Sequence, residues 1–197
     1  MMNLNSARLA WHDALYTPWD SQGSYIEQIG LLGCVVQATA KSVNSRHSMH
    51  QSISARIQHA IATLPDHLQA FGNHMYSPMA TDDDKYEARE LVFLRAYKAG
   101  SKMYAKKFEK ARLVATGVLY RYRRMHQGGQ SEGVDPCPSP EAFRYWLEME
   151  LDLKLSSEQW AREWGGFIDL CFIACNDLDR AALVPVSRCI NMMKEAA

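Results

Sequence analysis

Residues 101–126 carry the pattern that most restricts the fold of this chain. Their apolar side chains recur with the 3.6-residue period of an α-helix and keep their phase for more than about five turns. A helix of this length with one apolar face is stable when that face packs against other elements. We therefore predict one long docked helix. Its apolar face is predicted to contain Tyr104, Phe108, Ala111, Ala115, Val118, Leu119 and Tyr122.

The rest of the sequence also favours helices and shows almost none of the alternation that is typical of strands. We predict an all-α fold, a helical bundle. Thr81 and Asp84 have the spacing of a capping box, at the start of a helix that ends at Gly100. Ser139 and Pro140 mark another helix start. The other predicted helices cover 5–16, 24–43, 45–64, 65–78, 141–153 and 158–164, with two further segments after 166 and 176.

Residues 127–140 are the one stretch dense in Gly, Pro and Ser, which is typical of a linker. The chain has 197 residues with 47% hydrophobic content, enough for a real core and one or two domains. We predict a helical body at 1–126, which includes a basic hairpin at about 82–126. A small helical C-terminal domain at 141–197 is predicted to follow the linker.

The charge of the chain is zero overall but is unevenly distributed. Residues 1–93 hold 6 basic and 9 acidic residues, residues 94–126 hold 10 and 1, and residues 127–197 hold 6 and 12. A block of one sign attracts partners of the opposite sign. This distribution indicates an anionic partner for the central block.

Five basic residues of the long helix fall within an arc of roughly 100° opposite its apolar face. A row of cations repels itself, and Glu109 is the one acid within 101–126. The row is either solvated or neutralised by acids from elsewhere in the fold, or lies on a membrane surface, or binds a phosphate backbone. We favour phosphate binding. The row consists of Lys102, Lys106, Lys110, Arg121 and Arg124.

The preceding helix and the short Gly100 turn suggest either a helix-turn-helix or a general αα-hairpin. In both cases we expect the arginines to contact guanine or phosphate and the lysines to contact phosphate. The predicted DNA-binding residues are Lys98, Lys102, Lys106, Lys107, Lys110, Arg121, Arg123 and Arg124.

The sequence contains no recognisable catalytic, nucleotide-loop or zinc-protease motif, so we predict that the chain is not an enzyme and has no cofactor or metal. The acids at 82–84 suit the first turn of a helix. Cys171 and Cys175 lie on an apolar segment and are predicted to be core thiols. His47 and His50 share a helix face without a further ligand nearby in sequence.

Aromatic residues near 76 and 160–167 are predicted to form an exposed patch for a protein partner, although most Trp and Tyr residues pack in cores. The residues assigned to this patch are Tyr76, Trp160, Trp164 and Phe167. The chain has an odd set of five cysteines, which favours free thiols. It has no apolar run long enough to cross a bilayer and no signal-peptide pattern at the start, so we predict a cytoplasmic protein.

The order of several segments resembles the Q-type transcription antitermination proteins of phages and prophages, in particular their AlpA-like members. The segments are "LAWHDALYTPW", "FGNHMYSPM", an acid-capped helix with a basic hairpin, and "WAREWGGF". The resemblance implies a protein that binds a promoter-proximal DNA element and loads onto RNA polymerase with its sigma factor. It further implies action at the RNA exit channel that suppresses pausing and termination. Zinc sites of the C-x-x-C type found in some members have no counterpart here.

Residues and resemblance together predict a DNA-binding antitermination factor. Nascent RNA is a further candidate partner, and whether the basic helix contacts DNA, RNA or both stays open. Two alternatives stay open. A protein-only interaction module or inhibitor predicts no salt-dependent DNA affinity, whereas a simple DNA-binding repressor predicts DNA binding without polymerase.

Overall fold

The structure is a computed structural model that describes residues 4–15, 45–100, 102–126, 133–156 and 158–195. Within these ranges all regular structure is helical, which confirms the predicted all-α fold. The predicted helix at 24–43 lies outside the described residues. The helices are α1 (Ala7–Leu15), α2 (Ser45–Ala62), α3 (Asp66–Tyr76), α4 (Asp82–Ala99), α5 (Ala105–His126), α6 (Pro140–Leu151) and, after a π-helical turn at Ala161–Gly165, α7 (Gly166–Glu195).

The helix starts at α4 and α6 follow from local sequence. The Thr81 hydroxyl accepts from the Asp84 amide while the Asp84 carboxylate accepts from the Thr81 amide, so the predicted capping box is confirmed. The Ser139 hydroxyl accepts from the Ala142 amide, and Pro140 occupies the first helical position. These side chains satisfy amides that have no partner within the helix.

Helix α7 is the centre of the fold and packs against α1, α2, α3, α4 and α5. The predicted break after Asn176 is wrong, because buried residues continue at helical spacing through Cys175, Leu178, Ala182 and Val186. Residues before 127 and after 140 contribute to one hydrophobic core. The division into two domains stays a prediction. None of the described helices is both long and apolar enough to cross a membrane.

Helices α4 and α5 form an antiparallel αα-hairpin. Arg112 pairs with Glu90 at 2.7 Å, and the Phe108 ring packs edge-on against Phe93 at 4.8 Å, so numbers rise on one helix as they fall on the other. Helix α5 begins at Ala105 rather than at 101. Tyr104 therefore precedes the helix and is 89% exposed, so its predicted place on the apolar face is wrong. The other predicted positions are buried or packed against the core.

Helix α6 lies against α5 at a glycine. A Cβ atom at Gly117 would lie 2.8 Å from Leu147 Cδ2 and 2.8 Å from Phe143 Cε2, closer than carbon atoms pack. Phe143 and Leu147 are both fully buried. The missing side chain at Gly117 therefore sets how closely the two helices approach.

Two glycine substitutions should change stability in opposite directions. Gly117→Ala should lower the free energy of unfolding by about 1 kcal/mol or more, because the added methyl overpacks the α5–α6 contact. Gly166→Ala should raise it by about 0.5–1 kcal/mol, because Gly166 has helical φ and ψ and no atom within 4 Å of the new methyl. Urea unfolding of both variants tests this, and a stabilised Gly117→Ala would contradict the packing described.

Candidate nucleic-acid interface

The structure separates the predicted basic row into two groups at opposite ends of α5. Lys106 and Lys110 lie in the first two turns of the helix, whereas Arg121 and Arg124 lie in its last turns. The rise from Lys110 to Arg124 is about 21 Å. Between these groups, Arg112 is engaged by Glu90. The basic residues therefore do not form a continuous cationic stripe along the helix.

An exposed cluster of cations surrounds the connection between α4 and α5, and we call it the basic tip. Within the described part of the chain, no residue of the tip forms an ion pair. The sequence prediction omitted Arg95, although its position three residues before Lys98 places both on one helix face. The basic tip comprises Arg95, Lys98, Lys102, Lys106 and Lys110, all of them exposed.

The start of α5 adds to the positive field of the tip. Its first turn contains no acid, although acids are the residues that the helix dipole favours there. Tyr104 precedes the helix, and its carbonyl accepts from the amides of Lys107 and Phe108. The amides of Ala105 and Lys106 have no acceptor within the described residues. Helix amides in this arrangement bind anions. Tyr104, the residue before the helix, is exposed.

Arg121 is a structural residue and not a surface contact, which corrects its assignment to the DNA-binding row. Its side chain is 14% exposed and pairs with Asp135 through Nε–Oδ1 and Nη2–Oδ2 distances of 3.1 and 2.5 Å. Its guanidinium lies 5.0 Å from the Phe143 ring centre and 5.2 Å from that of Phe172. The hydrogen bond from Arg121 lowers the pKa of Asp135. The pair fastens the segment before α6 onto α5.

Lys107 and Arg123 are each partly buried and differ from the exposed tip. Lys107 Nζ donates to the Glu163 carbonyl at 2.9 Å and lies 5.2 Å from the Trp164 ring centre. Arg123 Nε is enclosed without a hydrogen-bond partner, and burial together with the neighbouring Arg124 lowers the pKa of Arg123. Lys107 therefore joins α5 to the π-helical turn, while Arg124 is exposed at the far end of α5.

The aromatic residues predicted to form an exposed patch for a partner are mostly buried. Trp164 and Phe167 are buried, and Phe167 packs against Phe93. Trp160 is half-buried against Phe143 beneath Arg144. Tyr76 is 6% exposed. The large apolar surfaces of Tyr76, Trp164 and Phe167 are therefore part of the core and do not form the exposed patch that was predicted.

Tyr76 belongs to a buried polar network that the sequence did not reveal. Its hydroxyl donates to Asp179, a carboxylate that is 3% exposed. Arg8 Nη2 donates to Asp179 at 2.7 Å, and Arg8 Nε donates to the Tyr76 hydroxyl at 3.0 Å. The Tyr122 hydroxyl lies 3.1 Å from Asp179 and 3.0 Å from Asn176 Oδ1, with one proton to donate between them. Burial and the Asp179 charge raise the pKa values of both tyrosines.

The described residues contain no group of three or more side chains suited to hold a metal ion. Cys137, Cys171, Cys175 and Cys189 are free and buried. Burial raises the pKa of Cys171 and Cys175, which disfavours the thiolate form that reacts or binds metal. Cys34 and the side chain of His47 lie outside the described residues.

His74 is buried at the opposite end of the hairpin from the basic tip. It is 6% exposed, and its pKa is lowered from 6.5 to about 4 by burial and by three cations, opposed in part by Asp84. The unfolded chain therefore binds this proton at a higher pH than the folded chain does. The cations are Arg123, Arg89 and Lys85.

Arg121 and Lys106 should behave as different kinds of basic residue. Arg121→Ala should lower the free energy of unfolding by about 2 kcal/mol or more, because it leaves Asp135 without its partner. Lys106→Ala should change it by less than about 0.5 kcal/mol. Chemical denaturation measures both, and a double-mutant cycle with Asp135→Ala isolates the pair. Equal effects of the two substitutions would contradict this distinction.

His74 should make the fold sensitive to mild acid. As pH falls from about 6.5 towards 4, the unfolded chain gains a proton that the folded chain excludes, and the penalty approaches roughly 3 kcal/mol. Unfolding free energies at pH 7.5 and pH 5 should differ less in His74→Gln than in the wild type. The Asp135 pKa is lowered, so its contribution is lost at still lower pH. An unchanged pH dependence in the variant would refute this assignment.

Comparisons with known proteins assign no family to this geometry. No protein-family model, curated protein or solved structure matches the chain. Its function is therefore argued from the residues described above.

Proposed function

We propose that the chain is a nucleic-acid-binding transcription factor that contacts the phosphate backbone through the basic tip. The observation that carries the proposal is the set of five exposed cations around one helix connection, none in an ion pair within the described ranges. Mutual repulsion among them is relieved when an anion binds. Each phosphate contact also releases a condensed counterion, which favours binding to nucleic acid.

The geometry of the tip suits phosphates rather than bases. Lysines act as point charges without the paired donors that read guanine, and four of the five residues are lysines. The uncapped amides at Ala105 and Lys106 offer two further donors for a phosphate oxygen. Tyr104 can stack on a base or a sugar that lies beside the contacted backbone. Binding of this type depends steeply on salt concentration and only weakly on sequence.

Transcription antitermination is the role that we propose for this nucleic-acid contact. The order of segments resembles Q-type antitermination proteins, and the antiparallel α4–α5 hairpin provides a rigid support for the tip. In this proposal the tip holds promoter-proximal DNA while the protein joins RNA polymerase and its sigma factor and suppresses pausing and termination. The basic tip lies away from Arg121, which is paired with Asp135 inside the fold.

Charge reversal at the tip should remove DNA binding without unfolding the protein. We expect the wild type to bind a 30-bp duplex with a log–log salt slope of about −4 to −5, from five phosphate contacts. Lys98→Glu/Lys106→Glu/Lys110→Glu should make the slope shallower by about 3 and weaken binding at 0.1 M salt by about 100-fold. Fluorescence anisotropy over a salt series measures both quantities.

The matched control reverses three exposed cations away from the tip, Arg56→Glu/Lys154→Glu/Lys194→Glu. It changes net charge equally and should retain most of the affinity. Equal losses in both triple variants would show that only net charge matters. No salt-dependent binding by the wild type would instead favour a solvated basic face and a protein-only module.

The polymerase step has a separate test. Genomic DNA fragments retained by the protein are placed beside a promoter and upstream of a terminator, and transcripts are made with purified polymerase holoenzyme. The wild type should increase terminator read-through and the tip variant should not. DNA binding that blocks initiation and leaves read-through unchanged would support the repressor alternative.

A further inference from the structure

The outer face of the C-terminal half of α7 forms a groove of about 860 Å³. Arg180 and Arg188 are exposed in it, and Leu183 and Val184 lie between them in sequence. Asp179 also lines the groove, but its charge is taken up by Arg8 and by tyrosine hydroxyls. Between the two arginines the groove is lined by Leu183, Val184 and Ser187, a small apolar surface with one hydroxyl.

The two arginines are placed to hold two separate anionic groups. They are eight residues apart on one helix, a rise of about 12 Å. Within the described ranges, neither Arg180 nor Arg188 takes part in an ion pair. Val184, between them, is 38% exposed. A partner that fits this surface has an apolar centre with acids on both sides of it.

The outer face of α6 has that arrangement. Tyr145 and Met149 are each 65% exposed and lie one turn apart. Glu141 and Glu148 share this face, because positions 141, 145, 148 and 149 fall within about 100° around the helix axis. Tyr145 lies between the two glutamates along the helix. Glu141 and Glu148 are separated by a rise of about 10.5 Å, close to the spacing of the two arginines in the groove.

We propose that the α7 groove of one copy receives the outer face of α6 from a second copy of this chain. Tyr145 and Met149 cover Leu183 and Val184, and the flanking glutamates pair with the arginines. Apolar contact at the centre with charged pairs at the rim is the usual arrangement of a protein interface. This contact goes beyond the proposed function and does not use the basic tip.

The groove cannot be filled by the α6 of its own chain. Phe143 and Leu147, on the inner face of α6, are buried where that helix packs against α5. The outer face therefore points away from the body that carries the groove. The present partners of its glutamates are weak surface pairs, with Glu141 at 3.7 Å from Arg144 and Glu148 at 3.4 Å from Lys154.

Each copy carries both surfaces, so two copies related by a two-fold axis can make the contact twice. If rotation does not close the pair, the same contact produces a longer head-to-tail chain. Sedimentation analysis separates the two assemblies. Both contain the proposed contact.

A charge exchange between two variants tests the proposal. Glu141→Lys/Glu148→Lys and Arg180→Glu/Arg188→Glu each place like charges across the contact. Each should weaken self-association by at least about 10-fold relative to the wild type. A mixture of the two variants should associate again, because every contact in it then joins opposite charges. Light scattering and sedimentation over a wide concentration range measure the mass of each sample.

Matched controls reverse exposed charges outside both surfaces, with Glu87→Lys/Glu109→Lys against the acidic variant and Arg56→Glu/Lys85→Glu against the basic one. They should associate as the wild type does. Circular dichroism and thermal melting confirm that all variants are folded.

Two results would overturn the proposal. One is a wild type that stays monomeric at every concentration, in which case the groove serves an acidic partner of another kind. The other is a mixture of the two variants that stays monomeric. Because both variants are shown to be folded, misfolding could not explain that result.

Discussion

The bundle depends on one buried carboxylate. Asp179 on α7 receives hydrogen bonds from side chains of α1, α3 and α5, so a single charge joins four helices. Arg8 is the only cation among these donors, and its guanidinium bonds to both Asp179 and Tyr76. A buried charge is costly unless it is paired and hydrogen-bonded. The network therefore favours the one arrangement of helices that brings every donor to the carboxylate.

The same arrangement decides which basic residues of α5 reach solvent. The hairpin register puts Arg112 against Glu90, and the segment before α6 brings Asp135 to Arg121. These two arginines are used within the fold. The cations at the connection of the hairpin have no such ion-pair partners within the described ranges, so they form an exposed basic cluster there.

Periodicity and caps were enough to predict the helical class, the capping box at Thr81 and the buried face of α5. These features depend on neighbours in sequence. Whether Arg121 and Tyr76 reach solvent depends instead on their partners Asp135 and Asp179, which lie 14 and 103 positions away in sequence. A helical wheel cannot tell an arginine that faces water from one that faces an acid of another segment. The buried aromatic residues were predicted to be exposed for the same reason, because exposure depends on how the helices pack.

The basic tip and the α7 groove lie towards opposite ends of the central helix. Lys107, next to the tip, contacts Glu163 just before α7, whereas the groove begins at Asn176, about 20 Å further along the axis. A second copy seated in the groove therefore leaves the tip exposed. In the two proposals the charges of the chain serve two contacts, because lysines of the tip face a phosphate backbone and arginines of the groove face the acids of α6 in a second copy. Segregation of charge along the fold, rather than net charge, is what permits two contacts of different chemistry.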